Sequence, residues 1–250
     1  MTEKDLGFIH RFVPAEESAS GETLIVLHGT GGDENDLIGI GQAVAPGAAI
    51  LSPRGNVLEK GAPRFFKRLA EGVFDPKEVR SRGEELARFI RAAISSYQLD
   101  ASRIHALGYS NGANIASTVM FIQPGLLQSA VLLRPMHVYE PEQRHDLSGS
   151  AALISAGRMD PIVPADSVER LVELLEASHA EVTVKWQLTG HNLVPSEVRE
   201  AADWFALQRA RVCVKLRLKF KSSRPGLKPE AVEDPEHAPG DHEDRNNGQE

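Results

Sequence analysis

Short apolar runs recur along the chain, and most of them are continuous rather than alternating. Continuous apolar runs are typical of strands that are buried on both faces of a parallel sheet. Six such strands are predicted, at 24–28, at 48–52, from Ile104 to the glycine-containing turn that follows it, at 129–133, at 151–156 and at 182–188. A weaker alternation at 8–12, ended by Pro14, predicts an edge strand.

Between the strands, apolar residues recur every three or four positions, which is the period of an amphipathic helix. The clearest case is the stretch 86–97, and further helices are predicted at 36–45, from Asn111 to about Ile122, at 165–178 and from Pro195 onward. Strand and helix alternate throughout this part of the chain. The predicted fold class is therefore α/β, with a mostly parallel central sheet covered by helices on both faces.

The pattern changes after residue 211. Apolar residues alternate strictly with mostly basic ones over 212–220, which is the period of a strand, and an extra edge strand, a basic arm and a homodimer contact are open alternatives. The residues that follow have almost no apolar side chains and cannot bury enough surface to offset ordering. The predicted organisation is an α/β domain at 1–211, a basic alternating segment at 212–221 and a disordered acidic tail at 222–250.

The composition is that of one globular domain, with 250 residues of which 41% are hydrophobic. The net charge of -7 comes mostly from 228–250, so no basic excess directs the domain toward nucleic acid. Cys213 is the single cysteine, which excludes an internal disulfide and a thiolate metal cluster. The charged N-terminus and the lack of any apolar run of about 18 residues predict a cytoplasmic protein without membrane contact.

The segment around Ser110 carries the strongest chemical signal. Gly108-Tyr109-Ser110-Asn111-Gly112 follows an apolar run and precedes small helix-forming residues, which predicts a strand, a sharp turn and a helix. A serine at such a turn takes strained backbone angles, and a Cβ at either glycine would collide with the neighbouring strand or helix. The turn predicts a nucleophile at the positive end of a helix, although a structural turn with an incidental serine is the alternative.

A second glycine-rich loop, at 29–32, follows the strand at 24–28. A dinucleotide-binding loop would need a third glycine where this chain has Glu34, and a P-loop would end in Gly-Lys-Ser or Gly-Lys-Thr. Neither condition is met. The remaining interpretation is a loop whose backbone N–H groups can reach a ligand, which is how a His-Gly-X-Gly segment supplies an oxyanion donor.

A serine nucleophile needs a general base, and the base needs an acidic group that orients it. Asp160 follows the strand at 151–156 and His191 follows the strand at 182–188, so in a parallel sheet both emerge at the same edge as Ser110. Taken singly, the aspartate fits a turn before a proline and the histidine fits a surface loop. Taken together, the order Ser, Asp, His predicts a catalytic triad.

These motifs resemble the phospholipase/carboxylesterase branch of the α/β-hydrolases. The resemblance covers about residues 7–208 and rests on the segments 28–32, 108–112, 157–164 and 190–191. The segments 53–56 and 132–136 further resemble a bacterial subgroup of small carboxylesterases, some of which are linked to hydroquinone stress.

The resemblance implies an α/β-hydrolase fold for the domain and a role for each residue of the site. By it, Ser110 is the nucleophile, His191 the base and Asp160 the orienting acid, while the N–H groups of Thr30 and Asn111 form the oxyanion hole. Related acyl-protein thioesterases more often carry Gln after the serine, where this chain has Asn111. This departure favours ester hydrolysis over protein deacylation.

The substrate site is predicted to be open. About seventeen residues separate the strands at 129–133 and 151–156, which is too few for the helical cap domain of many lipases. Its predicted walls are Thr30, Phe65, Phe66, Phe74 and Met136.

The predicted function is a serine carboxylesterase that acts on small to medium acyl esters. Neither a cofactor nor a metal is predicted, because His137 and His145 lack the spacing of metal ligands. The alternatives are an acyl thioesterase or a lysophospholipase of the same family, and a non-catalytic receptor with this fold.

Overall fold

The computed structural model describes residues 5–16 and 21–222. Within these residues the chain forms nine strands and five α-helices. In chain order they are β1 (His10–Val13), β2 (Thr23–Leu27), α1 (Ile38–Val44), β3 (Ala49–Pro53), β4 (Val57–Glu59), β5 (Ala62–Arg64), α2 (Pro76–Tyr97), β6 (Ile104–Tyr109), α3 (Asn111–Ile122), β7 (Ser129–Leu133), β8 (Ala151–Gly157), α4 (Ala165–Ala177), β9 (Glu181–Gln187) and α5 (Pro195–Ser222).

Seven strands form one sheet in the order β1-β3-β2-β6-β7-β8-β9. At one edge β1 runs antiparallel to β3, which confirms the predicted edge strand. Every other pair of neighbours in this sheet is parallel, and these six strands are the ones that the apolar runs predict. The carboxyl ends of the parallel strands therefore meet at one edge, where open α/β sheets place their ligands.

Helices cover both faces of the sheet, as predicted. Side chains of β2 alternate between the faces, because Ile25 and Leu27 belong to one hydrophobic cluster and Leu24 and Val26 to the other. The first cluster includes buried residues of α2, α3 and α4, and the second includes residues of α1 and α5. A continuously apolar strand requires this arrangement, since both of its faces must be removed from water.

The stretch between β3 and α2 contains a short hairpin. In it β4 and β5 pair antiparallel, with Val57 opposite Arg64. The Gly31 N–H donates to the Pro63 carbonyl at 2.9 Å, so the hairpin is tied to the glycine-rich loop after β2. This contact brings the hairpin to the carboxyl edge of the sheet.

The connection between β7 and β8, residues 134–150, contains neither a helix nor a strand, so no cap domain is inserted there. The helices also bear on whether the chain can span a membrane. None of the helices in the part of the chain that the structure describes has the length and the apolar character needed to cross a bilayer.

The prediction of a strand at 212–220 is wrong, because α5 continues through this stretch to Ser222. The stretch is rich in Leu, Lys and Arg, which are strong helix formers, and it extends a helix that has already begun. Adding a residue to an existing helix is easier than starting a new strand, so local propensity outweighs the alternating pattern. The compact unit of the chain ends at Cys213, and the acidic tail lies outside the described residues.

Candidate active site

Ser110 lies at a sharp turn between β6 and α3. Its backbone angles are φ 51° and ψ -113°, and a positive φ is strained for a residue that carries a Cβ. Its N–H donates to the Leu133 carbonyl at 2.8 Å, and its own carbonyl accepts from the Asn114 N–H at 3.0 Å. Hydrogen bonds to β7 and within α3 therefore hold the strained turn at the carboxyl edge of the sheet.

The two glycines that flank the turn are required by close backbone approach, as predicted. A Cβ on Gly108 would lie 2.4 Å from the carbonyl oxygen of Gly112. A Cβ on Gly112 would lie 2.0 Å from the carbonyl oxygen of Leu27. Both obstacles are backbone atoms that cannot rotate away, so α3 can begin this close to the sheet only if both positions are glycine.

The structure brings Ser110, His191 and Asp160 together at this edge. The Nε2 atom of His191 lies 3.0 Å from the Ser110 hydroxyl, and its Nδ1 atom lies 2.8 Å from Oδ2 of Asp160. The other carboxylate oxygen of Asp160 accepts from the N–H groups of Ile162 and Val163 at 2.8 and 3.1 Å. A carboxylate can only accept, so Nδ1 carries the proton and the lone pair of Nε2 faces the serine.

The loop that carries His191 is held by Arg134, which the sequence did not mark as a site residue. The guanidinium is fully buried and donates to the carbonyls of Gly190 (2.9 Å) and Asn192 (2.9 Å), on either side of the histidine. It also donates to the Thr189 hydroxyl at 2.8 Å. Arg134 thereby fixes the backbone on both sides of His191.

Glu197 of α5 neutralises this arginine. Its carboxylate accepts from Nη1 and Nη2 of Arg134 at 2.5 and 2.9 Å, and the side chains of both residues are at most 1% exposed. Burial opposes ionisation of Glu197, but the hydrogen bonds from Arg134 and Ser155 prevail and lower its pKa below the usual value. The pair is therefore ionised, and it connects the first turn of α5 to the histidine loop.

Tyr109, the residue before Ser110, supports His191 from another side. Its hydroxyl donates to the His191 carbonyl at 3.1 Å, and the two rings lie 5.4 Å apart. Burial raises the pKa of the Tyr109 phenol, so the phenol stays protonated and remains a donor. The sequence offered no signal for this contact beyond the position of Tyr109 next to the serine.

The proposed oxyanion donors, the main-chain N–H groups of Thr30 and Asn111, lie in the loop after β2 and at the start of α3. Neither N–H has an acceptor among residues 5–16 and 21–222, so both are free for a ligand oxygen. Their side chains are fixed by the hairpin region. Arg64 donates to the Thr30 hydroxyl at 2.6 Å, and the Phe65 N–H donates to the Asn111 side-chain oxygen at 2.7 Å.

His28 has a structural role that its hydrogen bonds define. The Gly55 N–H donates to Nε2 of His28 at 2.9 Å, so the proton is on Nδ1, which donates to the Gly29 carbonyl at 2.6 Å. Burial lowers the pKa of His28, which keeps the ring neutral. The histidine thus joins the glycine-rich loop after β2 to the segment that precedes β4.

A pocket of about 260 Å³ opens above Ser110 and is lined by parts of the hairpin region, α3 and the histidine loop. Three of the five predicted wall residues line it, namely Thr30, Phe74 and Met136. Arg64, Arg68 and Arg134 also line it, and the predicted walls did not include them. The pocket therefore has a mixed polar and apolar lining.

Phe65 and Phe66 do not line this pocket, so the prediction that they are walls is corrected. Both side chains are buried in the core, where Phe65 contacts the His28 ring at 4.8 Å and Phe66 packs edge-on against Phe74 at 5.3 Å. A phenylalanine side chain has no polar end that must reach solvent, so it gains most from complete burial. Both therefore belong to the core rather than to the surface of the site.

In the described part of the chain, no three acidic, histidine or cysteine side chains are grouped as a metal ion would require.

Comparisons with known proteins show the family of this chain. The model of the phospholipase/carboxylesterase family matches residues 9–208. The chain is 42% identical over 190 residues to the Bacillus subtilis (strain 168) protein MhqD, which is named as a hydrolase, and the match covers 76% of this chain and 95% of that protein.

Two carboxylesterase crystal structures have the same fold. The Bacillus cereus enzyme has a TM-score of 0.79 and 42% identity, with 82% of this chain and 96% of the other covered. The Mesorhizobium loti enzyme has a TM-score of 0.76 and 33% identity, with 82% and 97% covered. The chain therefore belongs to the phospholipase/carboxylesterase family of hydrolases and has the α/β-hydrolase fold.

Proposed function

We propose that this protein is a serine carboxylesterase that hydrolyses small to medium acyl esters through a covalent acyl-enzyme. The observation that carries the proposal is the unbroken series of hydrogen bonds from Ser110 through His191 to Asp160, at 3.0 and 2.8 Å. Family membership supports hydrolase chemistry independently of this geometry.

Acylation begins when Nε2 of His191 removes the proton of Ser110 and Oγ attacks the ester carbonyl carbon. The carbonyl oxygen becomes negatively charged and accepts hydrogen bonds from the N–H groups of Thr30 and Asn111. Asp160 stabilises the imidazolium. His191 then donates the proton to the departing alkoxide, the C–O bond breaks, and an acyl-serine and an alcohol result.

Deacylation repeats these steps with water as the nucleophile. His191 takes a proton from the water, the resulting hydroxide adds to the acyl carbonyl, and the same two N–H groups stabilise the oxyanion. The tetrahedral intermediate collapses and returns the proton to Oγ of Ser110. A carboxylic acid leaves, and the enzyme is regenerated.

Substrate size follows from the pocket. Its volume of about 260 Å³ lies below the roughly 300–1,000 Å³ that is usual for drug-sized ligands. Each methylene that the pocket buries contributes about 0.8 kcal/mol until the pocket is full. We expect kcat/KM for neutral p-nitrophenyl esters to be highest for acyl chains of roughly four to eight carbons. Longer chains within this range gain from each buried methylene, and still longer chains no longer fit the small pocket.

The test is that ester series, measured beside an acyl thioester and a lysophospholipid of matched chain length. The small-ester assignment predicts a maximum within the series and a lower kcat/KM for the thioester and the lysophospholipid. A steady rise through sixteen carbons, or a strong preference for the thioester, would replace it with the thioesterase or lysophospholipase alternative. The Ser110→Ala variant gives the background rate for each substrate.

A further inference from the structure

We infer that the pocket above Ser110 contains a binding site for a carboxylate, formed by Arg64 and Arg68, and that the preferred substrates are esters that carry a second, ionised carboxyl group. The inference rests on the proposed ester hydrolysis and specifies its substrate class. It explains why Arg64 and Arg68 line a pocket in which an apolar acyl chain alone would not need them.

Arg64 is the principal member of this site. Its side chain is only 5% exposed, yet it lines the pocket. Its Nε donates to the Phe66 carbonyl at 3.1 Å, and its Nη1 donates to the Thr30 hydroxyl at 2.6 Å. Within the residues that the structure describes, its Nη2 group has no hydrogen-bond acceptor. Two firm bonds fix the guanidinium while part of its donor set remains available to a ligand.

The charge of this region is incompletely neutralised. Arg64 and Arg68 share one carboxylate, that of Glu59, at 3.4 and 2.7 Å. One carboxylate cannot neutralise two guanidinium groups, so a net positive charge remains. Glu71 also lines the pocket, but it is exposed, as is Arg68, so solvent screens both of these charges and the buried guanidinium of Arg64 is the one that is screened least.

The third arginine of the pocket serves as an internal comparison. Arg134 has Glu197 to itself, and all of its donors are directed at protein acceptors, so it has nothing left for a ligand. Arg64 and Arg68 differ from it in both respects. The structure thus contains one arginine used entirely for support and two that retain charge and donors toward the substrate.

A carboxylate is the ligand that fits these features. Keeping a charged guanidinium out of water is unfavourable unless an anion or several acceptors compensate it. The planar guanidinium fork matches a carboxylate, and such charge-assisted hydrogen bonds are about twice as strong as neutral ones. The attraction for an anion comes from these arginines and acts at short range. The net charge of the chain, which is -7, does not contribute to it.

The test compares kcat/KM for two esters that differ only in charge, p-nitrophenyl hydrogen adipate and its neutral methyl ester. A second pair, 4-carboxybenzyl hexanoate and its methyl ester, places the carboxylate on the alcohol. We expect the ionised member of at least one pair to be preferred by about tenfold, as one charge-assisted hydrogen bond can provide. Equal kcat/KM within both pairs would overturn the inference.

The Arg68→Gln variant tests the assignment to residues. The ratio of charged to neutral kcat/KM should fall toward one in this variant, and the Arg68→Lys variant should restore part of it. Arg80→Gln is the matched control, because Arg80 is an exposed, ion-paired arginine of α2 that does not line the pocket. A ratio that is unchanged in Arg68→Gln, or equally reduced in Arg80→Gln, would contradict the assignment.

A binding measurement separates this inference from the proposed chemistry. Monomethyl adipate, which carries the carboxylate but no activated ester, is titrated calorimetrically into the Ser110→Ala variant with and without Arg68→Gln. We expect binding that weakens about tenfold when Arg68 is replaced. Binding without any ester turnover in the wild type would refute the proposed function alone, and no binding at millimolar concentration would refute the carboxylate site.

Discussion

The carboxylate of Glu197 and the guanidinium of Arg134 form a buried, doubly hydrogen-bonded ion pair whose remaining donors hold the histidine loop. The two residues lie 63 positions apart in the chain. Arg134 adopts a positive φ of 55° directly after β7, which turns its side chain toward that loop. The pair therefore links the sheet, α5 and the loop of His191.

Replacing Glu197 with Gln should destabilise the protein strongly. The variant leaves the buried charge of Arg134 without its counterion, and breaking a buried pair in this way costs about 3–5 kcal/mol. The free energy of unfolding in urea measures the effect. Glu173→Gln is the control, because Glu173 forms an exposed pair with Arg170 and should change stability by less than about 1 kcal/mol. Similar losses in both variants would contradict this account.

Replacing Arg134 with Lys should lower kcat more than it raises KM. A lysine keeps the charge opposite Glu197, but it cannot donate at the same time to the carbonyls on both sides of His191. The histidine then occupies several orientations, which affects the proton transfer rather than the pocket. Steady-state kinetics on one neutral ester, measured where the variant remains folded by circular dichroism, checks this. An unchanged kcat would show that the loop keeps its position without the guanidinium.

Replacing Gly112 with Ala should prevent α3 from packing against β2. The added Cβ would lie 2.0 Å from the Leu27 carbonyl oxygen, so the helix start must move, at a cost of about 3 kcal/mol or more. Gly39→Ala is the matched control, because that glycine of α1 has open space around its Cβ position. The control should be neutral or stabilising by up to about 1 kcal/mol, and equal losses in both variants would count against the close-approach argument.

The stability of the protein should fall as the pH is lowered from about 6.5 to 4, in part because of His105. Burial lowers the pKa of this histidine from 6.5 to about 4, and the ring is held between Ser129 (Nδ1 to Oγ, 2.8 Å) and Phe205. Between these two pH values the unfolded chain binds a proton that the folded chain does not. Protonation therefore favours unfolding, and the stabilisation present above pH 6.5 is progressively lost.

The integrated effect of His105 is on the order of 3 kcal/mol. Unfolding free energies of the wild type and of His105→Gln, measured from pH 4 to 6.5, isolate it, because glutamine can bond Ser129 without titrating. The wild type should show the steeper pH dependence. Parallel curves would mean that His105 is protonated equally in the folded and unfolded chains.

The sequence predicted the parts of the site that depend on local pattern. Ser110, Asp160 and His191 each follow a strand, and a parallel sheet delivers such residues to one edge, so their meeting could be foreseen. The need for Gly108 and Gly112 could be foreseen for the same reason. In each case, a motif of a few residues and the topology of the sheet are enough to predict the arrangement.

The remaining features depend on contacts that are distant in the chain. No local signal pairs Arg134 with Glu197, and none distinguishes Arg64, which lines the pocket, from Phe65, which enters the core. In the stretch 212–220 a local signal was present but misleading. Its strict alternation predicted a strand, whereas the helix propensity of its residues prevails. Side-chain burial and long-range pairing decide these cases.

The most direct test of the central claim is the site at which a fluorophosphonate probe reacts. The probe is an electrophile that captures an activated serine hydroxyl, so mass spectrometry should find a single adduct on the peptide that contains Ser110. The adduct should be absent from the Ser110→Ala variant and strongly reduced in folded His191→Ala protein, because the hydroxyl needs its base. Labelling of another residue, or labelling that persists in Ser110→Ala, would contradict the assignment of Ser110 as the nucleophile.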